Sequence, residues 1–218
     1  MSGPSGAGKS AICAGLAEGR DVVLSVSMTT RPPRGHEVQG KNYYFVDRET
    51  FGKVIDNGGF LEYAEVYGEC YGTPRKPVAE QLEKGKSVIL EIDVNGAMQI
   101  RENAPDAVLV FIMPPSADEL RRRIEDRGTE TPERIAHRLE QAESEISQLE
   151  KYDYCVVNDD LKRATKDVLT IMHAQRQLGA APWEGMLGLW DTGVVRQIEK
   201  LLVGDNAEKI IGRYHKET

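Results

Sequence analysis

The sequence predicts an α/β fold built on parallel strands that are joined by helices. Short apolar runs, bounded by turns, alternate with segments of helical spacing along most of the 218 residues. A glycine-rich segment near the start, residues 3–10, leads directly into one of the helical patterns. The stretch 30–74 breaks the alternation, because it carries five of the eight tyrosines, several glycines and short strand-like pieces. It is therefore predicted to be a small, mostly β insert in a single domain.

The glycine-rich segment has the complete spacing G-x-x-x-x-G-K-S of a loop that binds phosphate groups. Its glycines allow consecutive backbone N–H groups to turn toward an anion, while Lys9 adds a mobile positive charge and Ser10 a hydroxyl for Mg²⁺. The helix that follows directs its N-terminus at the loop, which favours negative charge. These features predict a nucleoside triphosphate site formed by Gly3, Pro4, Ser5, Gly6, Ala7, Gly8, Lys9 and Ser10.

The segment before this loop is unusually short. Such a loop normally follows a buried strand of about five or six apolar residues, yet only Met1 and Ser2 precede Gly3. We therefore expect the first strand of the sheet to be missing from the sequence and the fold to be weakened. The start could lie too far downstream, the chain could be a fragment, or another segment could take the place of the strand.

Local patterns predict the remaining elements in order. Strands are predicted at 22–26, 87–92, 108–112 and 154–157, with strand-like pieces at 43–46 and 60–63 in the insert. Helices are predicted at 75–84, 95–102, 117–127, 131–150 and 160–178. In the fourth of these helices, Thr131 would be the cap and Pro132 would lie in the first turn.

Residues after 179 have a different composition, which is rich in glycine and includes two tryptophans. Two amphipathic helices are expected there. Their apolar faces would contain Val194, Ile198, Leu201 and Leu202 in one, and Ile210, Ile211 and Tyr214 in the other. These helices could pack on the core, mediate self-association, or fill the place of the first strand.

Composition narrows the possible partners. The net charge of −7 argues against a nucleic-acid partner, whose backbone would be repelled. The cysteines, Cys13, Cys70 and Cys155, are scattered and odd in number, which indicates structural thiols rather than disulfides or a zinc site. The sequence has no apolar run of membrane-spanning length and no signal-peptide pattern. We expect a cytoplasmic protein without a membrane partner.

Six further segments, in a consistent order along the chain, resemble the guanylate kinase family. They are SVSMTTRPPRG (25–35), GKNYYFV (40–46), YGT (71–73), LEID (90–93), RGTET (127–131) and VNDD (157–160). The resemblance runs to about residue 176 and implies a five-stranded parallel sheet between two layers of helices. The implied reaction is ATP + GMP to ADP + GDP with Mg²⁺, which serves purine nucleotide metabolism and GTP supply.

The resemblance also implies a division of the chain. Residues 1–176 would form a guanylate kinase-like domain with a core (1–29, 75–118 and 139–176), a GMP-binding insert (30–74) and a helical lid (119–138). Residues 177–218 would be a helical C-terminal extension, through which self-association is possible.

The acceptor phosphate needs planar, bidentate cations, and Arg31 and Arg34 in a proline-stiffened turn suit that need. The resemblance assigns both to the phosphate of GMP, together with the hydroxyls of Tyr43 and Tyr71 and the loop around Gly72.

Guanine presents two neighbouring donors that one carboxylate can accept, whereas adenine lacks that pair. The resemblance implies that Glu62 reads this edge, with the hydroxyls of Ser27 and Thr73 as partners. Glu91 and Asp93 end a predicted buried strand and share one side of it. Asp93 would orient water ligands of Mg²⁺, and Glu91 would lie nearer the acceptor nucleoside.

Arginines on two predicted helices complete the implied machinery. Arg123 and Arg127 share one helical face, and Arg138 lies on the next helix. By resemblance they close over the phosphates, exclude water and neutralise transition-state charge. The implied catalytic residues are Lys9, Arg31, Arg123, Arg127 and Arg138. Arg127 also belongs to the ATP side, where Asn158 and Asp159 would contact adenine.

Three alternatives compete with this interpretation. A non-catalytic guanylate-kinase-like binding module would typically lack the phosphate loop, which is complete here. A kinase for another monophosphate, such as dAMP, UMP or TMP, is disfavoured by Glu62 with Ser27. An inactive fragment without its first strand would keep the same residues and lose turnover.

Overall fold

The computed structural model describes residues 1–19, 21–66, 68–126, 131–178 and 200–216. The chain divides into two units. The phosphate-loop unit comprises Met1–Leu16 and Val108–Thr218, and the middle unit comprises Ala17–Ala107.

Helices and strands alternate along both units. The helices are α1 (Lys9–Leu16), α2 (Arg48–Asp56), α3 (Arg75–Glu83), α4 (Val94–Asn103), α5 (Ala117–Glu125), α6 (Pro132–Ile146), α7 (Leu161–Leu178) and α8 (Ala207–Lys216). The strands are β1 (Val22–Leu24), β2 (Met28–Thr29), β3 (Tyr44–Phe45), β4 (Phe60–Val66), β5 (Glu69–Pro74), β6 (Ser87–Ile89), β7 (Val110–Met113) and β8 (Tyr154–Val157).

The helices predicted between residues 75 and 178 are confirmed, with small differences at their ends. Helices α3, α4, α5 and α7 match their predicted ranges to within two residues. Helix α6 stops at Ile146 and is followed by a separate 3₁₀ turn, Leu149–Lys151. At its start, the Thr131 side chain accepts a hydrogen bond from the backbone N–H of Arg134, and Pro132 is the first helical residue. The predicted cap is therefore confirmed.

The insert contains a helix that the sequence interpretation did not include. Helix α2 begins after Asp47, whose carboxylate accepts a hydrogen bond from the backbone N–H of Thr50 at 2.6 Å. Its buried side chain, Phe51, stacks on Phe60 with ring centroids 4.5 Å apart. A capping carboxylate and one well-packed aromatic residue are enough to fix this short helix against the sheet.

The rest of the insert is mostly β, as predicted. Strands are ordered β3-β2-β5-β4 in one four-stranded sheet, in which β2–β3 is parallel and the other two pairs are antiparallel. Helix α4 is tied to β4 by a reciprocal pair of hydrogen bonds between the Gln99 side-chain amide and the Tyr63 backbone, at 3.0 and 2.9 Å. These bonds hold the middle of β4 against the middle of α4.

Each of the two units contains a parallel pair of core strands. Strand β1 pairs with β6 in the middle unit, and β7 pairs with β8 in the phosphate-loop unit. Beside β7, Ser2 forms a parallel bridge with Phe111, in which Ser2 donates to Val110 and accepts from Ile112.

The C-terminal residues 200–216 pack within the phosphate-loop unit, as the first of the three alternatives expects. Leu202 forms an antiparallel bridge with Tyr154 of β8, and the Val203 N–H donates to the Asp153 carbonyl at 3.0 Å. Val203 is fully buried and Tyr214 of α8 is 2% exposed. The predicted positions Val194 and Ile198 lie outside the described residues.

Candidate functional site

The phosphate loop has the bent backbone that its glycines predict. Gly3, Gly6 and Gly8 have φ of 132°, 96° and 91°, which other residues rarely adopt. A Cβ atom on Gly3 would overlap the Ile112 carbonyl oxygen, and one on Gly8 would overlap the side-chain amide of Asn158. Both glycines are therefore required by conformation and by space.

Lys9 and Ser10 begin helix α1 directly after the loop. The Lys9 ammonium donates to the carbonyl oxygens of Gly3 and Pro4, at 3.1 Å from Pro4. Its charge thus lies over the loop, where phosphate oxygens could replace these carbonyl contacts. Ser10 is exposed in the first helical turn, so its hydroxyl can reach a ligand bound at the helix N-terminus.

Two of the three implied lid arginines touch the neighbourhood of the loop. Arg138 of α6 donates to the Ser5 hydroxyl at 3.0 Å. Arg123 of α5 pairs with Glu119 at 2.7 Å and donates to the backbone carbonyl of Asn158 at 2.9 Å. Arg127 lies outside the described residues. Cations on two helices are therefore directed at the loop and at the residue behind it.

The residues implied to contact adenine occupy different surroundings. Asn158 is 6% exposed and donates its side-chain amide to the Ala7 carbonyl at 2.7 Å. Asp159 is exposed and forms an ion pair with Arg163 one helical turn along α7. Asn158 thus supports the loop from behind, while Asp159 lies at the surface.

Arg31 in the middle unit is a buried cation with a bidentate partner. It is 8% exposed, and its two terminal nitrogens donate to the Glu37 carboxylate at 2.8 and 2.9 Å. The Arg34 N–H also donates to Glu37, at 2.7 Å. These bonds lower the pKa of Glu37 to about 2, chiefly through Arg31. The hydrogen-bonded Glu37 in turn raises the pKa of Arg31, which outweighs the opposite effect of burial.

Aromatic rings surround the Arg31 guanidinium. Its carbon lies 5.3 Å from the Tyr43 ring centroid and 5.7 Å from that of Phe45. Tyr43 meets Tyr71 edge-on, with centroids 6.1 Å apart. Burial raises the pKa of Tyr43, although the nearby Arg31 charge opposes that effect. Both tyrosines are half-buried, so the cluster combines one fixed cation with two hydroxyls that suit a phosphate.

Glu62 is a buried carboxylate on β4. It is 7% exposed and accepts a hydrogen bond from the fully buried Thr73 hydroxyl at 2.6 Å. Burial raises its pKa, and the Asp93 charge adds to that effect, although the Thr73 bond opposes it. A buried, hydroxyl-oriented carboxylate can accept from two adjacent N–H groups of a planar ligand.

Glycines shape the space around this carboxylate. Gly72 of β5 is buried so closely that a Cβ would lie 2.9 Å from the Glu62 backbone oxygen. Gly96 in the first turn of α4 faces the other end of the side chain, and its Cβ would lie 2.9 Å from Glu62 Oε2. The close approach of Gly72 constrains the Glu62 backbone, and that of Gly96 limits where the carboxylate can lie.

The remaining predicted residues lie at the rim of the insert and at the end of β6. Asp93 is the N-cap of α4, and its Oδ1 accepts from the Gly96 N–H at 2.7 Å. Glu91 and Arg34 are exposed. Ser27 is half-buried, and its carbonyl accepts from the Tyr44 N–H at 2.9 Å.

Glu37 and Gly96 are the residues that sequence reasoning missed. Glu37 follows the two arginines within the same tight turn, so its charge was the available signal. Gly96 was detectable because an isolated glycine inside a helix is costly and usually has a packing reason.

The similarity of this chain to known proteins extends over the site residues described above. The family model described as guanylate kinase matches residues 1–175. The chain belongs to the guanylate kinase family. A guanylate kinase of Thermus thermophilus is 51% identical over 177 residues, which cover 81% of this chain and 80% of that protein. That of Clostridium acetobutylicum is 48% identical over 176 residues, with 81% and 84% covered.

A solved structure supports the fold of this guanylate kinase family member. The crystal structure of guanylate kinase from Anaplasma phagocytophilum matches with a TM-score of 0.65 and 37% identity, covering 91% of each chain. Guanylate kinases are nucleotide-binding transferases, so this chain belongs to a family of enzymes.

Oxygen donors suit the divalent ion that kinases of this family generally use with ATP. In the phosphate-loop unit, Ser10 offers an exposed hydroxyl at the start of α1. In the described ranges no cluster of three or more His, Cys, Asp or Glu side chains is arranged to hold a metal. No helix in the same ranges has the length and apolarity to cross a bilayer.

Proposed function

We propose that this guanylate kinase family member transfers the γ-phosphoryl group of ATP to GMP or dGMP, giving ADP and GDP or dGDP. The observation that carries the proposal is the complete phosphate loop with Lys9 turned over it. A binding module without catalysis has no use for that arrangement, whereas phosphoryl transfer depends on it. We further propose a cytoplasmic role in purine nucleotide metabolism, with residues 30–74 as the GMP-binding insert and 119–138 as the lid.

The donor side acts through backbone groups and point charges. We propose that N–H groups of residues 3–10 and the Lys9 ammonium bind the ATP phosphates. Mg²⁺, if held by the Ser10 hydroxyl, would neutralise charge on the β- and γ-phosphates. Arg123 and Arg138, with Arg127, would add positive charge as the γ-phosphoryl group leaves.

The acceptor side acts through side chains of the middle unit. The Arg31 guanidinium is planar and already fixed by Glu37 and two rings, so it can meet a phosphate without losing further side-chain freedom. Tyr43 and Tyr71 would donate their hydroxyls to the same phosphate, with Arg34 at the exposed rim. The arrangement therefore orients GMP by its phosphate.

Base selection rests on Glu62. In its ionised form the carboxylate accepts from the ring N–H and the exocyclic amine of guanine, with Thr73 and Ser27 as hydroxyl partners. Adenine would instead leave a buried carboxylate unpaired, which is costly. Because burial raises the pKa of Glu62, the two guanine donors also stabilise the ionised form that binds them.

The test is turnover of the full chain with defined nucleotide pairs. ADP release from ATP and Mg²⁺ is coupled to NADH oxidation, with GMP, dGMP, IMP, AMP, UMP or TMP as acceptor. We expect GMP and dGMP to support turnover and the pyrimidines and AMP to give background rates. Folded protein that binds GMP but never releases ADP would favour the non-catalytic module, and preference for another monophosphate would overturn the choice of acceptor.

A further inference from the structure

The side chain of Asn158 lies directly behind the phosphate loop. Its amide nitrogen donates to the Ala7 carbonyl at 2.7 Å, and the residue is 6% exposed. The amide is so close to the loop that any Cβ on Gly8 would overlap it. Asn158 and the Ala7–Gly8 peptide are therefore packed as one unit, with no room for a ligand between them.

The backbone of Asn158 is fixed on both sides of the side chain. Its N–H donates to the Met113 carbonyl at 2.8 Å, which extends the end of β8 along β7. Its carbonyl accepts from Arg123 at 2.9 Å. Hydrogen bonds from β7 and α5 thus fix the position of Asn158, so its side-chain amide is held in place to donate to the Ala7 carbonyl.

Fixing the Ala7 carbonyl has a consequence for the next N–H group. In a planar trans peptide the carbonyl of one residue and the N–H of the following residue point in opposite directions. When Asn158 holds the Ala7 carbonyl, the Gly8 N–H must point away from Asn158. That direction is the one in which the loop can offer the N–H to an anion.

We propose that Asn158 is a positioning residue, which orients the Ala7–Gly8 peptide for binding the triphosphate and does not read the donor base. The proposal rests on the donor role proposed above for the loop. It predicts a loss of affinity that is the same for every nucleoside triphosphate, since the phosphates are common to all of them. A contact to adenine would instead change the preference among donors.

The experiment compares Asn158→Ala and the isosteric Asn158→Asp with the unchanged chain. Dissociation constants are measured by calorimetry, with Mg²⁺, for ATP, CTP, UTP and inorganic triphosphate, which has no base. We expect both variants to weaken all four ligands by a similar factor, roughly 10- to 100-fold for loss of one buried hydrogen bond. The dissociation constant for GMP should stay within about twofold, as should the ratio of ATP to CTP.

Asn57→Asp is the matched control. Asn57 also donates its side-chain amide to a backbone carbonyl, that of Lys53 at 2.7 Å, but it is exposed at the end of α2. This variant should leave triphosphate binding unchanged. Binding is measured at a temperature at which circular dichroism shows each protein to be folded.

Each outcome decides the proposal. If the variants bind ATP more weakly but bind inorganic triphosphate as tightly as the unchanged chain, Asn158 contacts the base. If the affinity for all four ligands is unaltered, Asn158 has no role in triphosphate binding. If neither variant folds, Asn158 belongs to the fold and the proposal is wrong. If the unchanged chain binds triphosphates but does not phosphorylate GMP, the proposed function fails while this test remains valid.

Discussion

The phosphate-loop unit and the middle unit build their candidate sites from different materials. In the first, three glycines with positive φ and buried contacts behind the loop set the shape of a backbone cradle. In the second, charged side chains are buried on a small sheet and oriented by partners, as in Arg31 with Glu37 and Glu62 with Thr73. A cradle made of backbone can be recognised from residue spacing, whereas a pocket made of side chains depends on partners that spacing does not identify.

Removing the Lys9 charge is the strongest way to break the donor half alone. We expect Lys9→Ala to lower kcat/KM for ATP by roughly 100- to 1,000-fold, because a preorganised charge on the phosphates is lost. GMP binding and the melting temperature should change little, since the bonds from Lys9 to the Gly3 and Pro4 carbonyls stay within the loop itself. Steady-state kinetics and calorimetry check this.

Lys53→Ala is the control for that variant. Lys53 is exposed and paired with Glu49 at 2.6 Å on α2, so its loss should leave both kinetic constants near those of the unchanged chain. Equal losses in the two variants would show that general charge, rather than the loop, is responsible.

Neutralising Glu62 separates base recognition from phosphate recognition in the middle unit. Glu62→Gln keeps an acceptor for the Thr73 hydroxyl but loses the charge that guanine donors require. We expect kcat/KM for GMP to fall roughly 10- to 100-fold, with IMP, which lacks the exocyclic amine, affected much less. A GMP-to-IMP ratio that stays constant would contradict Glu62 as the base reader.

The same variant has a defined effect on stability. Because burial raises the folded pKa of Glu62 above its ordinary value of 4.5, the folded chain binds more protons than the unfolded chain between these two pKa values. This group therefore reduces stability as the pH rises through that window. Glu62→Gln should be at least as stable as the unchanged chain at pH 7, with less difference at pH 4, measured by thermal unfolding.

Crowding the Glu62 carboxylate tests the geometry on the acceptor side with a smaller change. Gly96→Ala would place a methyl group 2.9 Å from Glu62 Oε2 and 3.2 Å from Asp93 Oδ1. The carboxylate must shift, so we expect roughly a tenfold loss in kcat/KM for GMP and an unchanged KM for ATP.

Gly52→Ala provides the matched comparison within a helix. Gly52 lies in α2, where an added Cβ would meet no other atom within 4 Å among the described residues. This alanine should raise the free energy of unfolding by about 0.5–1 kcal/mol through helix propensity and leave GMP kinetics unchanged. If Gly96→Ala behaves in the same way as Gly52→Ala, the close approach of Gly96 to Glu62 is not needed for activity.

The smallest expected effect concerns the acid stability of the Arg31 pair. The pKa of Glu37 is lowered to about 2 from an ordinary value of 4.5, so the stability that it contributes is present above pH 4.5 and is lost as pH falls toward 2. Glu37→Gln should remove this part of the acid dependence, with a shift in melting temperature of no more than about 2 °C at neutral pH. Parallel melting curves of both proteins from pH 6 to pH 3 check it.

The predictable parts of the molecule are those determined by local sequence. Helical spacing located α3 to α7, the Thr131 cap was correct, and the G-x-x-x-x-G-K-S spacing located the loop. Helix α2 was missed because its nine residues are anchored by one cap and by Phe51, which stacks on Phe60 of the following strand. Periodicity over so short a segment carries little information.

Features that depend on distant partners were not predictable from the sequence. Nothing local indicates that Asn158 turns its amide back to Ala7, 151 residues earlier. The pairing of Ser2 with Phe111, 109 residues later, is likewise non-local. The roles of individual site residues, including Arg34, Glu91 and Asp159, stay predictions.

The bridge between Leu202 and Tyr154 has a consequence for how the protein behaves at high concentration. Strand β8 has β7 on one side, and on the other its backbone is met by the chain's own residues 202 and 203. A strand edge left open is a template onto which further molecules can add. Deleting residues 200–216 should therefore convert a well-behaved protein into one that polymerises through β8, visible as light scattering that grows with protein concentration.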